Sequence, residues 1–216
     1  MKNKFISVDQ AASMVKDGMT VMIGGFLAVG SPHSIIAKIV ESDVKDLTII
    51  CNDTGFPDKG IGLLIANKKV KKVITSHIGT NPCTIEQLNN KEITIEFNPQ
   101  GTLAERIRCA GAGIGGFLTP TGIGTIVEEG KQIIKVDGKD YILEMPLHAD
   151  IALLGASISD TIGNLVYKGS TQNFNPIMAT AADVVIVEPE EIVEVGQIEP
   201  ENVRTQSVFV THIVKK

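Results

Sequence analysis

The sequence predicts an α/β fold: a mostly parallel sheet with helices on both faces, followed by a hairpin-rich second half. Three observations predict it. Short Ile/Val/Leu runs alternate with segments of helical apolar spacing from the N-terminus through Arg108. Aromatic residues are only 4% and Trp is absent, so the core must rest on Ile, Val, Leu and Ala, as strands buried on both faces do. After Gly111 the pattern changes to glycine-rich sequence with a hairpin signal at Asp137-Gly138. With 216 residues and 43% hydrophobic content, the chain is expected to form a single domain over residues 1–216.

Ser7-Val8-Asp9-Gln10 has capping-box spacing, so a first helix is expected through Val15, stopping near Gly18. Thr20-Val21-Met22-Ile23 reads as the first strand and ends in Gly24-Gly25. Pro32 stands near the start of a second helix, on which Ile35, Ile36, Ile39 and Val40 share a face. Leu47–Ile50 is the second strand, and the loop from Asn52 to Lys59 leads to a helix over Ile61–Ala66. Val73-Ile74-Thr75 is the third strand. Asn81-Pro82 begins a helix, because Asn caps and Pro fits the first turn. Ile93-Thr94-Ile95 is the fourth strand, and Pro99 precedes a helix over Leu103–Arg108. Beyond it, Ile133-Ile134 and Tyr141-Ile142-Leu143 flank the hairpin turn. Ile151–Leu154, Leu165–Tyr167, Val184–Val187 and Val208–Val210 read as further strands.

A formal net charge of −5 gives no electrostatic footprint for nucleic acid. The basic run Lys68-Lys69-Val70-Lys71-Lys72 reads as a solvated helix end leading into a strand. Cys51, Cys83 and Cys109 are far apart, and the His residues have no ligand spacing, so neither a disulfide framework nor a metal site is expected. The N-terminus lacks the apolar stretch of a signal peptide, and no run approaches a membrane span. A cytoplasmic protein with no membrane partner is the expectation.

In open α/β sheets, ligands bind beyond the carboxyl ends of the strands. Four polar loops follow the first four strands: Gly24–Pro32, Asn52–Gly55, Ser76–Asn81 and Asn98–Thr102. Their convergence on one crevice is the functional expectation. Gly24, Gly25 and Gly30 permit positive φ and close approach to the backbone of Phe26, Leu27, Ala28 and Val29. The next helix would offer its N-terminal N–H groups to an anion or a polarised carbonyl. The alternative is a plain strand-to-helix turn. Asn52 and Gln100 bring neutral amides, which can donate to a carbonyl oxygen as charge develops on it. Their competing role is hydrogen bonding within the loops. Gly111-Ala112-Gly113-Ile114-Gly115-Gly116 matches a dinucleotide fingerprint in letters only, since a helix precedes it; it serves close backbone packing or the passage of a ligand. Arg106 and Arg108 have the chemistry to clamp a carboxylate but read as helix surface charges, and His77 reads as structural.

Four motifs carry a resemblance. Asp17 to Phe26, continuing through Gly30-Ser31-Pro32, resembles the glycine signature of the alpha subunits of family I coenzyme A transferases. Pro99-Gln100-Gly101-Thr102-Leu103-Ala104-Glu105-Arg106-Ile107-Arg108, Phe117 to Thr125, and Asn173-Phe174-Asn175-Pro176 resemble further motifs of that family in the same order. The similarity spans nearly the whole chain and is nearest to the acetate/butyrate:acetoacetate type. Ala110 and Gly115-Gly116 are small departures from the pattern.

The resemblance implies transfer of CoA between acetoacetyl-CoA, or another short-chain acyl-CoA, and a short-chain carboxylate such as acetate or butyrate. It implies a glutamyl-CoA intermediate on a separate beta subunit in an α2β2 assembly, with CoA as substrate and no cofactor. By motif, Gly24, Gly25, Phe26, Leu27, Ala28, Val29 and Gly30 match the CoA-contacting loop, and Gln100 and Asn52 match supporting amides at the reacting centre. Glu128, Glu129 and Glu144 match no nucleophile motif, so this chain is expected to be inactive alone. The alternative is a non-catalytic regulatory module that binds an acyl-CoA or another metabolite on the same scaffold.

Overall fold

The computed structural model describes residues 3–215. Strand β1 is Phe5–Ile6 and helix α1 is Val8–Ser13. The expected capping box closes that helix: Ser7 Oγ accepts from the Gln10 N–H, and Gln10 Oε1 accepts from the Ser7 N–H. Then follow β2 (Thr20–Ile23), α2 (His33–Glu41), β3 (Leu47–Ile50), α3 (Ile61–Ala66) and β4 (Val70–Thr75). Helix α4 (Pro82–Asn89) is capped by Asn81, whose side chain accepts from the Thr84 N–H. After β5 (Thr94–Phe97) comes α5 (Gln100–Gly111).

The second half adds β6 (Phe117–Thr119), β7 (Ile133–Val136), β8 (Lys139–Glu144), β9 (Ala149–Asp160), β10 (Leu165–Val166), α6 (Asn175–Met178), β11 (Ala182–Val193) and β12 (His212–Val214). The main sheet has the order β1-β12-β11-β9-β2-β3-β4-β5, with every neighbouring pair parallel. Strand β10 adds an antiparallel pairing on β9. A small antiparallel sheet, β6-β8-β7, stands apart from it.

Alternate residues of the same strands feed two cores. Val21, Ile23, Ile49, Ile151 and Leu153 pack under α1, α2 and α3. Met22, Ile50, Ala152 and Leu154 pack under α5 and α6. That two-sided burial is why these strands read as unbroken apolar runs. Helices therefore lie on both faces, as expected. Asp137 and Gly138 turn the β7–β8 hairpin with φ of 47° and 78°, the left-handed pair of a type I′ turn.

Several boundaries differ from expectation. The parallel sheet reaches into the second half, because β9 and β11 are long and pair in parallel beside β2. Past Val187, β12 no longer lines β11, so Pro189 sits where one edge is open. Val208–Val210 is not a strand: Val208 is 80% exposed and local turns bind Phe209 N and Val210 N. The buried pair Ile213-Val214 takes the sheet position instead. The basic run is also divided differently, since β4 begins at Val70 and carries Lys71 and Lys72. Lys72 pairs with Glu96 at 2.6 Å and Lys68 with Glu92 at 2.9 Å. Gly111 serves close packing: a Cβ there would lie 2.0 Å from Thr180 Oγ1. Among the described residues, no helix is long and apolar enough to cross a membrane.

Candidate active site

The four loops do converge. Phe26 and Leu27, Asn52 and Asp53, Ser76, His77 and Thr80, and Gln100 together line a cavity of about 320 Å³ beyond the ends of β2, β3, β4 and β5. A neighbouring cavity of about 330 Å³ runs from Phe26 and Gln100 to Asn173 and Phe174.

The glycine loop is held in an unusual shape. Phe26 and Val29 exchange both backbone hydrogen bonds, at 3.0 and 2.9 Å, across a tight turn. Leu27 and Ala28 sit at its tip with φ of 48° and 72°. Left-handed backbone at non-glycine residues costs about 1–3 kcal/mol each and persists only where the surroundings impose it. The surroundings are the Asn173-Phe174-Asn175-Pro176 segment. Asn173 Oδ1 accepts from the Gly25 N–H at 3.0 Å, and its Nδ2 donates to Val29 O at 3.2 Å. Asn175 Nδ2 donates to Gly30 O at 3.0 Å. The glycines allow this approach: a Cβ on Gly24 would lie 1.7 Å from Asn175 Oδ1.

One expectation is corrected. The first N–H groups of α2 do not face an incoming ligand. The Glu188 carboxylate accepts from Ser34 N–H at 3.1 and 3.0 Å and from Ile35 N–H at 3.0 Å. This buried anion from β11 already satisfies the helix end.

Asn52 and Gln100 are brought together as neighbours. Asn52 is buried and Gln100 is exposed at the first position of α5. Gln100 Nε2 donates to Asn52 Oδ1 at 2.7 Å, and Asn52 Nδ2 donates to Asp53 Oδ2 at 2.7 Å. Asp53 also accepts from Leu27 N–H, at 3.1 Å to Oδ2, and from Gly55 N–H, at 2.8 Å to Oδ1. Loop hydrogen bonding and a cavity-facing amide thus coexist at Gln100.

The other charged candidates are engaged elsewhere. Arg106 is buried, not a surface charge, and donates to Glu96, Asn98 and Met145 O at 2.6–2.8 Å. Arg108 pairs with Glu105 on the helix surface. Glu144 is buried beside Lys131 at 2.6 Å, and Glu128 accepts from the Gly124 N–H. Asp53, Asn173, Asn175 and Glu188 were not singled out from the sequence as side chains with work to do. Each acts through a partner distant along the chain or through burial, and neither has a local sequence signal.

Residues 5–216 match the family model for coenzyme A transferase. The chain belongs to the coenzyme A transferase family. Its relatives include the acetate CoA-transferase subunit alpha of Escherichia coli K12, 52% identical over 99% of this chain and 97% of that one. The acetoacetyl-CoA:acetate/butyrate CoA transferase alpha subunit of Clostridium acetobutylicum is 51% identical over 100% of this chain and 99% of that one. The coenzyme A transferase fold is equally plain in solved structures. An acyl-CoA transferase of E. coli O157:H7, in a thioester complex with CoA, superposes with a TM-score of 0.89 at 20% identity, covering all of this chain and 47% of that longer one. Glutaconate coenzyme A-transferase of Acidaminococcus fermentans gives 0.85 at 19% identity, over 98% of this chain and 75% of that one.

Proposed function

We propose that this chain is the alpha subunit of a heteromeric CoA-transferase, acting as one domain with a beta subunit in a cytoplasmic α2β2 assembly. It moves CoA between acetoacetyl-CoA, or another short-chain acyl-CoA, and a carboxylate such as acetate or butyrate. CoA is a substrate, and no cofactor, metal or nucleic acid takes part. The naming of the two relatives just described supports the substrate class and the division into subunits.

One observation carries the reading. The cavity is lined by two amides, by Ser76, His77 and Thr80, and by a single carboxylate, Asp53, whose two oxygens are both occupied by N–H donors. Ser76 Oγ and Thr80 Oγ1 give their protons to the backbone oxygens of Asn52 and Gly55, at 2.7 and 2.8 Å, so neither hydroxyl is paired with a base, which supports a surface that polarises the thioester while the nucleophile comes from elsewhere. The attacking glutamate comes from the beta subunit. Its oxygen adds to the thioester carbonyl, the C–S bond breaks, and thiolate leaves a mixed anhydride. The thiolate then attacks the glutamyl carbonyl and displaces the acyl group as a free carboxylate, leaving a glutamyl-CoA thioester. The acceptor acid reverses these steps. During each addition, charge grows on a carbonyl oxygen, where the remaining N–H of Gln100 Nε2 is a suitable donor. The glycines of the Gly24–Gly30 loop are packed against Asn175, Ser31 and Asn173, so what they allow is the close packing that holds the Phe26–Val29 turn at the cavity, where CoA would meet it. A cavity of about 320 Å³ suits a short acyl group.

The test is co-expression with a beta chain. CoA exchange between acetoacetyl-CoA and acetate is expected only when both chains are present. Robust exchange by this chain alone would refute the divided site.

A further inference from the structure

The carboxylate in the cavity wall has a use that the transfer chemistry leaves unassigned. Asp53 is 3% exposed, yet it borders the cavity and stands at the end of a chain of side-chain amides. We propose that Asp53 is a positioning residue that fixes which end of the Asn52 and Gln100 amides faces which neighbour. This role rests on the CoA-transfer reading above.

The two ends of an amide side chain are nearly the same size, so hydrogen-bond polarity decides its orientation. An ionised carboxylate only accepts. Asp53 Oδ2 therefore selects Asn52 Nδ2, at 2.7 Å, and turns Asn52 Oδ1 away from itself. That oxygen in turn only accepts, so it selects Gln100 Nε2, also at 2.7 Å. Ser76 Oγ lies 3.3 Å from Asn52 Oδ1, but its one proton goes to the Asn52 backbone oxygen at 2.7 Å, so this longer contact weighs little against the two 2.7 Å amide bonds. The anchor at the far end cannot flip, because it consists of the backbone N–H groups of Leu27 and Gly55. Two fixed donors thus dictate, through one carboxylate and one amide, the orientation of the Gln100 amide at the cavity. The spacing leaves the second N–H of Gln100 Nε2 for the reacting oxygen.

Asp53→Asn tests the relay with almost no change of shape. Its new amide keeps Oδ1 as acceptor for Gly55 at 2.8 Å and for Leu27 at the longer 3.3 Å, and its nitrogen then faces Asn52 Nδ2. Two donors in opposition force Asn52 to flip, and Gln100 after it. In the assembled enzyme kcat is expected to fall about tenfold or more, with KM changed by less than about twofold. A purely structural account, in which Asp53 only braces the turn at Leu27, makes a different forecast. Leu27→Gly removes the left-handed strain at that position and would then rescue kcat. The positioning role requires the same fold-loss for Asp53→Asn in the unsubstituted and Leu27→Gly backgrounds. If Asp53→Asn alone does not assemble, the comparison of Leu27→Gly with the double variant still reads that loss. A loss that vanishes in the Leu27→Gly background overturns the proposal, as does a kcat for Asp53→Asn within about twofold of its parent. Failure of the CoA-transfer reading is seen separately, as no exchange by the unsubstituted pair.

Discussion

Gln100 occupies two environments at once. Its nitrogen is committed to Asn52 on one side, and the residue is exposed on the other. A group placed this way gains most when charge appears beside it, and that happens during addition to the thioester. Gln100→Ala in the assembled enzyme should therefore lower kcat by about a hundredfold and raise KM far less. Steady-state rates against acetoacetyl-CoA give the split, and a pure KM effect would instead assign Gln100 to ground-state binding. Asn52 and Gln100 were legible in the sequence because each follows a strand at the end where loops gather. Asp53 lies beside Asn52 and reads only as loop, because nothing in a string of polar residues shows which one is buried. Asn173 and Asn175 were legible as a motif and not as a clamp. Their partners Gly25 and Gly30 lie 148 and 145 residues away, a separation that only the folded sheet closes.

Elements that buried a continuous apolar run were the readable ones. Strand Thr20–Ile23, strand Leu47–Ile50 and helix Ile61–Ala66 fall where the sequence put them. Strands β9 and β11 run longer than the sequence suggests, because Gly155 and Pro189 do not look like strand residues yet hold places in the ladder. The same blind spot hid Glu188, which stands in β11 just before Pro189 and reaches the start of α2. That helix begins at Pro32 without a side-chain cap of its own, so the distant carboxylate supplies what its own sequence lacks. Glu188→Gln keeps the shape and removes the charge. It should cost about 1 kcal/mol, the scale of an anion at a helix N-terminus, and urea unfolding would show it as a lower midpoint. An unchanged midpoint would mean that the charge contributes nothing to the helix end.

At the scale of the molecule, one chain of charges ties the main sheet to the small one. Lys72 on β4 and Arg106 on α5 both hold Glu96 on β5, at 2.6 and 2.7 Å. Arg106 then lies 3.7 Å from Glu144 on β8, which Lys131 also contacts at 2.6 Å. Arg106 Nε further donates to Met145 O, just beyond β8. Burial pushes the Glu96 carboxyl up, but the hydrogen bonds and charges of Lys72 and Arg106 outweigh it and hold its pKa down at about 2, below its ordinary 4.5. A carboxyl lowered in the folded state stabilises the fold above its ordinary pKa. That contribution fades as pH falls through the window from 4.5 to about 2. Glu96→Gln should therefore destabilise the protein near neutral pH by about 2 kcal/mol, the scale of hydrogen bonds to a charged group. The deficit should narrow progressively as the solution is acidified, because the unfolded carboxyl takes up its proton near 4.5 while the folded one holds its charge until about 2. Urea midpoints of the two proteins measured from about pH 7 down to about pH 3 would draw closer, without yet meeting, if the network works this way. A deficit constant across that range would instead assign the loss to shape, with no share for the charge.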